Sequence, residues 1–441
     1  MSPAVTRTDA IVVGAGVMGG AIALELARRG LRVVVVDKGG QVGGGSTSAS
    51  AAVIRFSFST FEGVASSWEA KQQWASWRDH LRLSERDAAE GPVARFHQVG
   101  MLFIVPPDYD RSHTAGHYER VGVPNEILDA AEIAARFPAL DVGRFHPPRW
   151  PDDPQFYDDA SGGIEGWWTP DAGFVDDPQL SALNMIDAAR RLGSEVRLRT
   201  EVTAVRTVGD SDRVRGVTFA DGSTLDAPIV VNAAGPWSSA LNTLAGIEPF
   251  AMWTRPLRQE INNAPAPAGF GIDDGGVAVG DLDLGTYFRP QPGGTMLVGG
   301  VEAECDPLVW DEDPDHATEH VTPELWEAQI FRLARRLPAL EVPHRPSGVV
   351  SHYDVSPDWV PVYDRTSLDG FYVAIGTSGN QFKNAPLVGQ LMAHLIDACE
   401  SGHDHDTDPV KFRCEHTRLV LDLGHYARNR TPAATTGTVS G

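Results

Sequence analysis

Lysine is scarce in this chain. Only Lys38, Lys71, Lys383 and Lys411 are present, and arginine supplies the rest of the 37 basic residues. Against 59 acidic residues they leave a net charge of −22. A surface of that sign repels phosphate backbones, so nucleic acid is not an expected partner. Cysteine is nearly absent too. Cys305, Cys399 and Cys414 form no Cys-x-x-Cys pair. An odd, unpatterned set provides no disulfide framework and points to a reducing, cytoplasmic compartment. No apolar run approaches the roughly 18 residues that a membrane span needs. The nine residues before Ala10 are too few and too polar for a secretory leader. Gly402-His-Asp-His-Asp-Thr-Asp408 lacks a third-ligand spacing, so no metal is expected there.

What is present is a turn-rich globular composition of two or three domains, with 45 Gly and 31 Pro in 441 residues. Ala10–Val13 is a short apolar run. Gly14-Ala-Gly-Val-Met-Gly19 follows, then apolar residues at helical spacing to Arg29, then the β-branched run Leu31–Val36. This is a βαβ unit. Gly14 permits a tight turn, Gly16 lets a pyrophosphate approach the helix N-terminus, and Gly19 lets helix and strand pack closely. Asp37, eighteen residues after Gly19, is placed to accept hydrogen bonds from a ribose.

Further along, 61–82 reads as a helix whose Trp68, Trp74 and Trp77 pack in a core. Residues 125–137, 179–192, 323–337 and 384–400 also read as helices. Residues 195–208, 214–219 and 225–232 read as a strand meander with an Asp221-Gly222 hairpin turn. Residues 252–300 are β-rich. The Pro- and Trp-rich stretch 141–170 reads as an irregular loop able to cover a large substrate. Arg430–Gly441 is small and polar, which predicts disorder.

Four segments carry a family resemblance. Ile229-Val-Val-Asn-Ala-Ala-Gly235-Pro-Trp237 and Gly370-Phe-Tyr-Val-Ala-Ile-Gly376-Thr-Ser-Gly379-Asn-Gln-Phe-Lys383 resemble the second and the C-terminal motifs of FAD enzymes of the D-amino-acid oxidase family. Gly43-Gly-Gly-Ser-Thr-Ser-Ala-Ser-Ala-Ala-Val-Ile-Arg55 resembles the flavin-side loop of sarcosine oxidases, and Tyr353-Asp-Val-Ser-Pro-Asp358 resembles their segment before the C-terminal motif. Dimethylglycine dehydrogenases share much of the pattern.

The resemblance implies an α/β fold: a discontinuous Rossmann-type FAD domain (1–90, 173–247 and 353–410) and an antiparallel-sheet substrate domain (91–172 and 248–352), with a C-terminal tail over 411–441. It implies an FAD site made of Gly14, Gly16, Val17, Met18, Gly19, Asp37, Lys38, Gly45, Ser46, Thr47, Ala51 and Val202. To these it adds Ala233, Ala234, Gly235, Trp237, Gly376, Gly379, Asn380, Gln381, Phe382 and Lys383. Arg55 and Lys383 stand where relatives hold a substrate carboxylate. His352, Tyr353 and Tyr287 are further candidates, with one of the adjacent pair His352/Tyr353 facing the flavin and Arg289 beside Tyr287 lining the pocket.

The departures from the family pattern are equally specific. Ser351 stands where several relatives tether flavin through cysteine, and residues 45–54 contain no histidine, so non-covalent FAD is expected. Leu297 stands where monomeric sarcosine oxidases place an oxygen-activating lysine. The electron acceptor is therefore O2 or another molecule. The implied reaction is hydride transfer from the carbon beside the nitrogen of an N-alkylated or D-amino acid, or a related amine. A flavoenzyme acting on a 2-hydroxy acid and a non-catalytic flavin subunit of a larger complex are the alternatives.

Overall fold

The computed structural model describes residues 8–84, 91–106, 109–209, 212–318 and 320–441. The run Ala10–Val13 and the run Val33–Val36 are parallel neighbours in a six-stranded sheet. Every residue in both is buried. Their period of two divides them between two cores. Ala10, Val12, Val33 and Val35 face one core, in which the helices Val17–Arg28, Pro178–Arg191 and Ala385–Glu400 also pack. Ile11, Val13, Val34 and Val36 face the other, formed by the three-stranded meander Val202–Thr207, Val214–Phe219 and Thr224–Asp226. Small residues set the helix spacing: a Cβ on Gly389 would meet the Ala21 carbonyl oxygen at 2.4 Å.

The six-stranded sheet is collected from distant segments. Its order is Val362–Arg365, Phe371–Ile375, Ile229–Asn232, Ala10–Val13, Val33–Val36 and Glu195–Arg197, parallel except for the first pair. The expected meander over 195–232 is thus divided. Glu195–Arg197 and Ile229–Asn232 join this sheet, and only the middle forms the meander. Positive φ at Arg199 breaks the first long run, and Pro228 the last.

The second large sheet has eight strands, antiparallel except where Ala278–Asp281 pairs with Met101–Val105. Its edge strand Gly348–Val355 runs across the expected 352/353 boundary. Alternation again separates two faces. Leu102, Ile104, Phe288 and Val298 pack with Ile330 and Leu333 of the helix Pro323–Arg336. Met101, Phe103, Ile261 and Tyr287 turn toward a cavity.

Three expectations are corrected. Residues 125–137 are a strand, Glu126–Leu128, followed by a helix, Ala130–Arg136, which starts at an Asp129/Glu132 capping box. The capping box fixes the start that apolar spacing alone cannot fix. The 141–170 stretch ends in the strand Glu165–Thr169, and none of its residues borders the cavity. It is held to the helix-covered face of the sheet. Phe145 and His146 amides donate to Asp283 at 2.9 and 3.0 Å, and Trp150 Nε1 donates to Asp306 at 2.9 Å. Arg430–Gly441 is ordered. Arg430 and the Ala433 amide bond to the buried Asp358 carboxylate at 2.7 and 3.1 Å, and the chain runs on to the cavity. Composition sets a local preference, and here partners distant in sequence override it. The tryptophans behave as core. Trp74 stacks between Trp77 and Phe382, and Trp68 meets Phe56 edge-on.

Candidate active site

A cavity of about 1200 Å³ lies between the two large sheets. At one end it opens on the N-terminus of the helix Val17–Arg28, whose N-cap is Gly16 with no side-chain cap. Gly14 has φ +111°, and a Cβ there would meet the Ala233 carbonyl oxygen at 2.2 Å. Thr47 Oγ accepts from the Val17 amide at 3.0 Å and ties the early loop to the helix start. Asp37 is oriented by backbone, accepting from the Ala15 and Gly39 amides at 2.7 Å each. Lys38 lies 4.2 Å from the centre of the Trp237 ring and pairs with Asp315. Trp237 Nε1 is buried and has no protein partner. A helix N-terminus whose N-cap glycine brings no side chain, a carboxylate at the end of the second strand and an unpartnered indole N–H suit the phosphates, ribose and ring edge of a dinucleotide.

At the other end the walls change character. Arg55, at the end of the early loop, is buried and donates through Nη1 to Ser57 Oγ at 3.0 Å and through Nη2 to the Val439 carbonyl. Burial is the main cause that draws its guanidinium down to about 10, with Tyr118 and Tyr109 opposing. Lys383 is buried too. Its ammonium donates to the Asn380 carbonyl at 2.6 Å, lies 5.2 Å from the Phe58 ring centre and is pushed well down by burial, with Arg55 adding to the shift. Trp74 Nε1 donates to the Lys383 carbonyl at 2.7 Å and fixes that turn from below. Among the described residues neither cation is ion-paired with a carboxylate. Two desolvated cations without counterions are costly unless an anion joins them.

Tyr287 and Tyr353 come from different strands of the eight-stranded sheet and border the cavity together. Gly299 makes room for one of them, since a Cβ there would meet the Tyr287 ring at 2.6 Å. Glu302 follows the strand Thr295–Gly300 with φ +53°. It accepts from Gln259 Nε2 at 3.1 Å and from the Val439 amide at 2.7 Å, and burial pushes it up to about 8. Asp354 accepts from the Gly376 amide at 2.6 Å, and burial raises it to about 7.

The cavity brings together most of the residues expected from sequence. Arg55, Lys383, His352, Tyr353 and Tyr287 all border it, as do Gly14, Gly16, Val17, Met18, Asp37, Lys38, Gly45, Ser46, Thr47 and Ala51. Val202, Ala233, Ala234, Gly235, Trp237, Gly379, Gln381 and Phe382 do as well. Three expected residues stand behind it. Gly19 abuts the Gly14 carbonyl, where a Cβ would come within 1.8 Å, and Gly376 abuts Ser356. Asn380 holds Gln381 and Lys383 from behind. Arg289 does not line the pocket. It reaches under the early loop to donate to the Ala51 carbonyl at 2.6 Å, because the ring of Phe174 stacks on its guanidinium. His352 and Tyr353 both touch the cavity, although His352 Nε2 is taken by Asp311 at 2.6 Å. Leu297 packs on Ala51 and Ile261.

Sequence reasoning missed Glu302, Gln259, Tyr118, Asp311 and Val439. No motif surrounds them. None of the three cysteines borders the cavity. The 402–408 stretch is a structural corner: His405 Nδ1 accepts from the Val410 amide at 3.0 Å, and Arg428 bridges Asp364 and Asp406. No helix among the described residues is long and apolar enough to cross a membrane.

Comparison with known proteins adds an independent line. A family model described as FAD dependent oxidoreductase (DAO) matches residues 9–395. FAD-dependent oxidoreductase domain-containing protein 1 of Xenopus laevis is 26% identical, over 88% of this chain and 79% of its own length. Human mitochondrial sarcosine dehydrogenase is 26% identical over 97% of this chain, which spans only 44% of that longer protein. The crystal structure of L-proline dehydrogenase from P. horikoshii superposes with a TM-score of 0.74 at 22% identity, covering 96% of this chain and 97% of the other.

Proposed function

The chain belongs to the FAD-dependent oxidoreductase (DAO) family, and from that premise we propose that it oxidises the C–N bond of an amino acid whose carboxylate is held by Arg55 and Lys383. FAD, when bound, supplies the two-electron acceptor for hydride leaving the carbon beside the nitrogen. Gly14, Gly16 and the N-terminus of the helix Val17–Arg28 would hold its pyrophosphate, Asp37 its ribose and the 376–383 turn its ring. The glycine N-cap of that helix and the unpartnered Trp237 Nε1 support that fit. Non-covalent attachment is supported by Ser351 at the cavity wall and by cysteines that all lie away from it.

The chain's own contribution is binding, orientation and exclusion of water. Arg55 presents a planar fork to a carboxylate, and Lys383 a point charge. Closing a carboxylate onto both neutralises charge that burial makes costly. Tyr287 and Tyr353 present polar edges to the amine from the sheet side. Met101 and Phe103 make the remaining wall apolar, which strengthens every charge interaction inside. The unprotonated amine needs no strong base, so orientation is the main requirement. The observation that carries the proposal is the pair of buried cations, without carboxylate partners among the described residues, facing a cavity that also holds a dinucleotide cradle.

The test is anaerobic mixing of the flavin-loaded protein with sarcosine, proline, other N-methyl and D-amino acids, and lactate. Loss of the flavin's visible absorbance with an amino acid is expected. Rapid return of colour in air would identify an oxidase, and slow return a dehydrogenase using another acceptor. Bleaching by lactate and by no amine would overturn the proposed reaction.

A further inference from the structure

Residues Val439 and Ser440 reach into the cavity wall beside Arg55. Val439 donates its amide to Glu302 Oε2 at 2.7 Å, and its carbonyl accepts from Arg55 Nη2. Its side chain packs against the small cluster of Leu257, Val355 and Trp359. Ser440 borders the cavity beside it. Gly441 rests on Phe58, the ring that also lies under Arg55. Thr438 ties this end into a turn, accepting from the Ser440 amide at 3.2 Å and from the Gly441 amide at 3.0 Å.

The segment before it is anchored separately. Arg430 pairs with Asp358 at 2.7 Å, Ala433 donates to the same carboxylate at 3.1 Å, and Thr435 Oγ donates to the Asp358 carbonyl at 2.8 Å. Between anchor and end lie Thr436 and Gly437, both exposed, with Gly437 at φ +67°. The end is thus held by a few contacts on the far side of a glycine hinge, and the anchor does not depend on them.

The chemistry of the contact is specific. One residue gives its N–H to a carboxyl group and its C=O to an arginine. Those atoms are joined as N–Cα–C=O, the connection between the amine and the carboxylate of an α-amino acid. We propose that residues 438–441 are a built-in competitor of the substrate, a strap whose Val439 backbone occupies the Arg55–Glu302 pair and swings out about Gly437 when an amino acid enters. This rests on the reading of Arg55 as the carboxylate site. It adds that Glu302 receives an N–H from whichever occupant is present, and that substrate affinity includes the cost of displacing the strap.

Benzoate tests this without requiring turnover, since a carboxylate entering beside the flavin perturbs its visible spectrum. The flavin-loaded full chain is compared with the chain ended after Gly437, which keeps the Asp358 anchor, and with Val439→Pro, which removes the donated N–H. The shortened chain is expected to bind benzoate at least tenfold more tightly, and Val439→Pro to fall between. A free peptide of residues 433–441 should return the shortened chain toward the full chain's affinity. Equal affinities in all three proteins, or no binding by the shortened chain, would overturn the strap. The amine reaction is judged separately: a benzoate difference with no bleaching by any amine would keep the strap and remove the proposed substrate.

Discussion

Two sets of buried cations lie on opposite sides of the eight-stranded sheet. On the helix-covered side, Arg336 is fully buried between Asp281 and Asp283, at 2.7 and 2.8 Å, and Arg332 pairs with Asp306 at 2.8 Å. Although burial opposes them, these carboxylates hold the Arg336 guanidinium above its ordinary value. On the cavity side, Arg55 and Lys383 are comparably buried, and burial wins: both are drawn down. The same residue type at similar depth therefore has two meanings. A buried cation with its counterions in place closes a structural network. One held only by carbonyls and hydroxyls, and facing a cavity as Arg55 and Lys383 do, has spare capacity for an anion that arrives later.

The sharpest separation should come from removing one member of each set. Asp283→Ala leaves Arg336 and the Phe145 and His146 amides short of a partner. Chemical denaturation should show a loss of about 3–5 kcal/mol, with kcat/KM per folded molecule unchanged. Arg55→Met should do the reverse. Melting temperature should hold or rise, while kcat/KM for the best amino acid falls by the equivalent of about 3 kcal/mol, roughly a hundredfold. A cavity-side variant that unfolds the protein while sparing kinetics would break the comparison. Tyr353→Phe should cost less, about 1 kcal/mol or roughly fivefold in kcat/KM, because one hydroxyl contact is lost from a wall otherwise intact.

A further effect is one of pH dependence. Glu302 titrates near 4.5 when unfolded and at about 8 when buried. Between those values the unfolded state binds fewer protons, so its contribution to stability is complete below about 4.5 and is lost as pH rises toward 8. Glu302→Gln should remove that decline, and melting temperatures at pH 5 and pH 8 should lie closer together than in the parent protein.

Much of the first sheet and the dinucleotide end was legible from sequence, because the determinants there are contiguous. A turn that needs Gly14 at positive φ, a helix that needs Gly16 at its start and a strand buried on both faces each leave a local pattern. The other end of the cavity was legible only where a resemblance supplied it, at Arg55, Lys383 and the two tyrosines. Glu302, Gln259 and Tyr118 reach the site through tertiary packing, and no spacing announces them. The strap was misread for the same reason. Its composition is that of a loose end, and the groups that order it, Asp358, Arg55 and Glu302, lie between 72 and 384 residues away. In 125–137, Ile127 and Leu128 suited a helix or a strand equally, and pairing with Gly166 and Trp167 decided.

The central claim is that Arg55 and Lys383 await a carboxylate, and the most direct measurement sets an amino acid against its own amide. Proline and prolinamide, or sarcosine and its amide, present the same C–N bond to the flavin and differ only in the charge at the other end. The apparent Kd for anaerobic bleaching should be roughly a hundredfold or more weaker for the amide in the parent protein, and Arg55→Met should bring the two close together. An amide that bleaches the parent protein as readily as its acid would contradict the account.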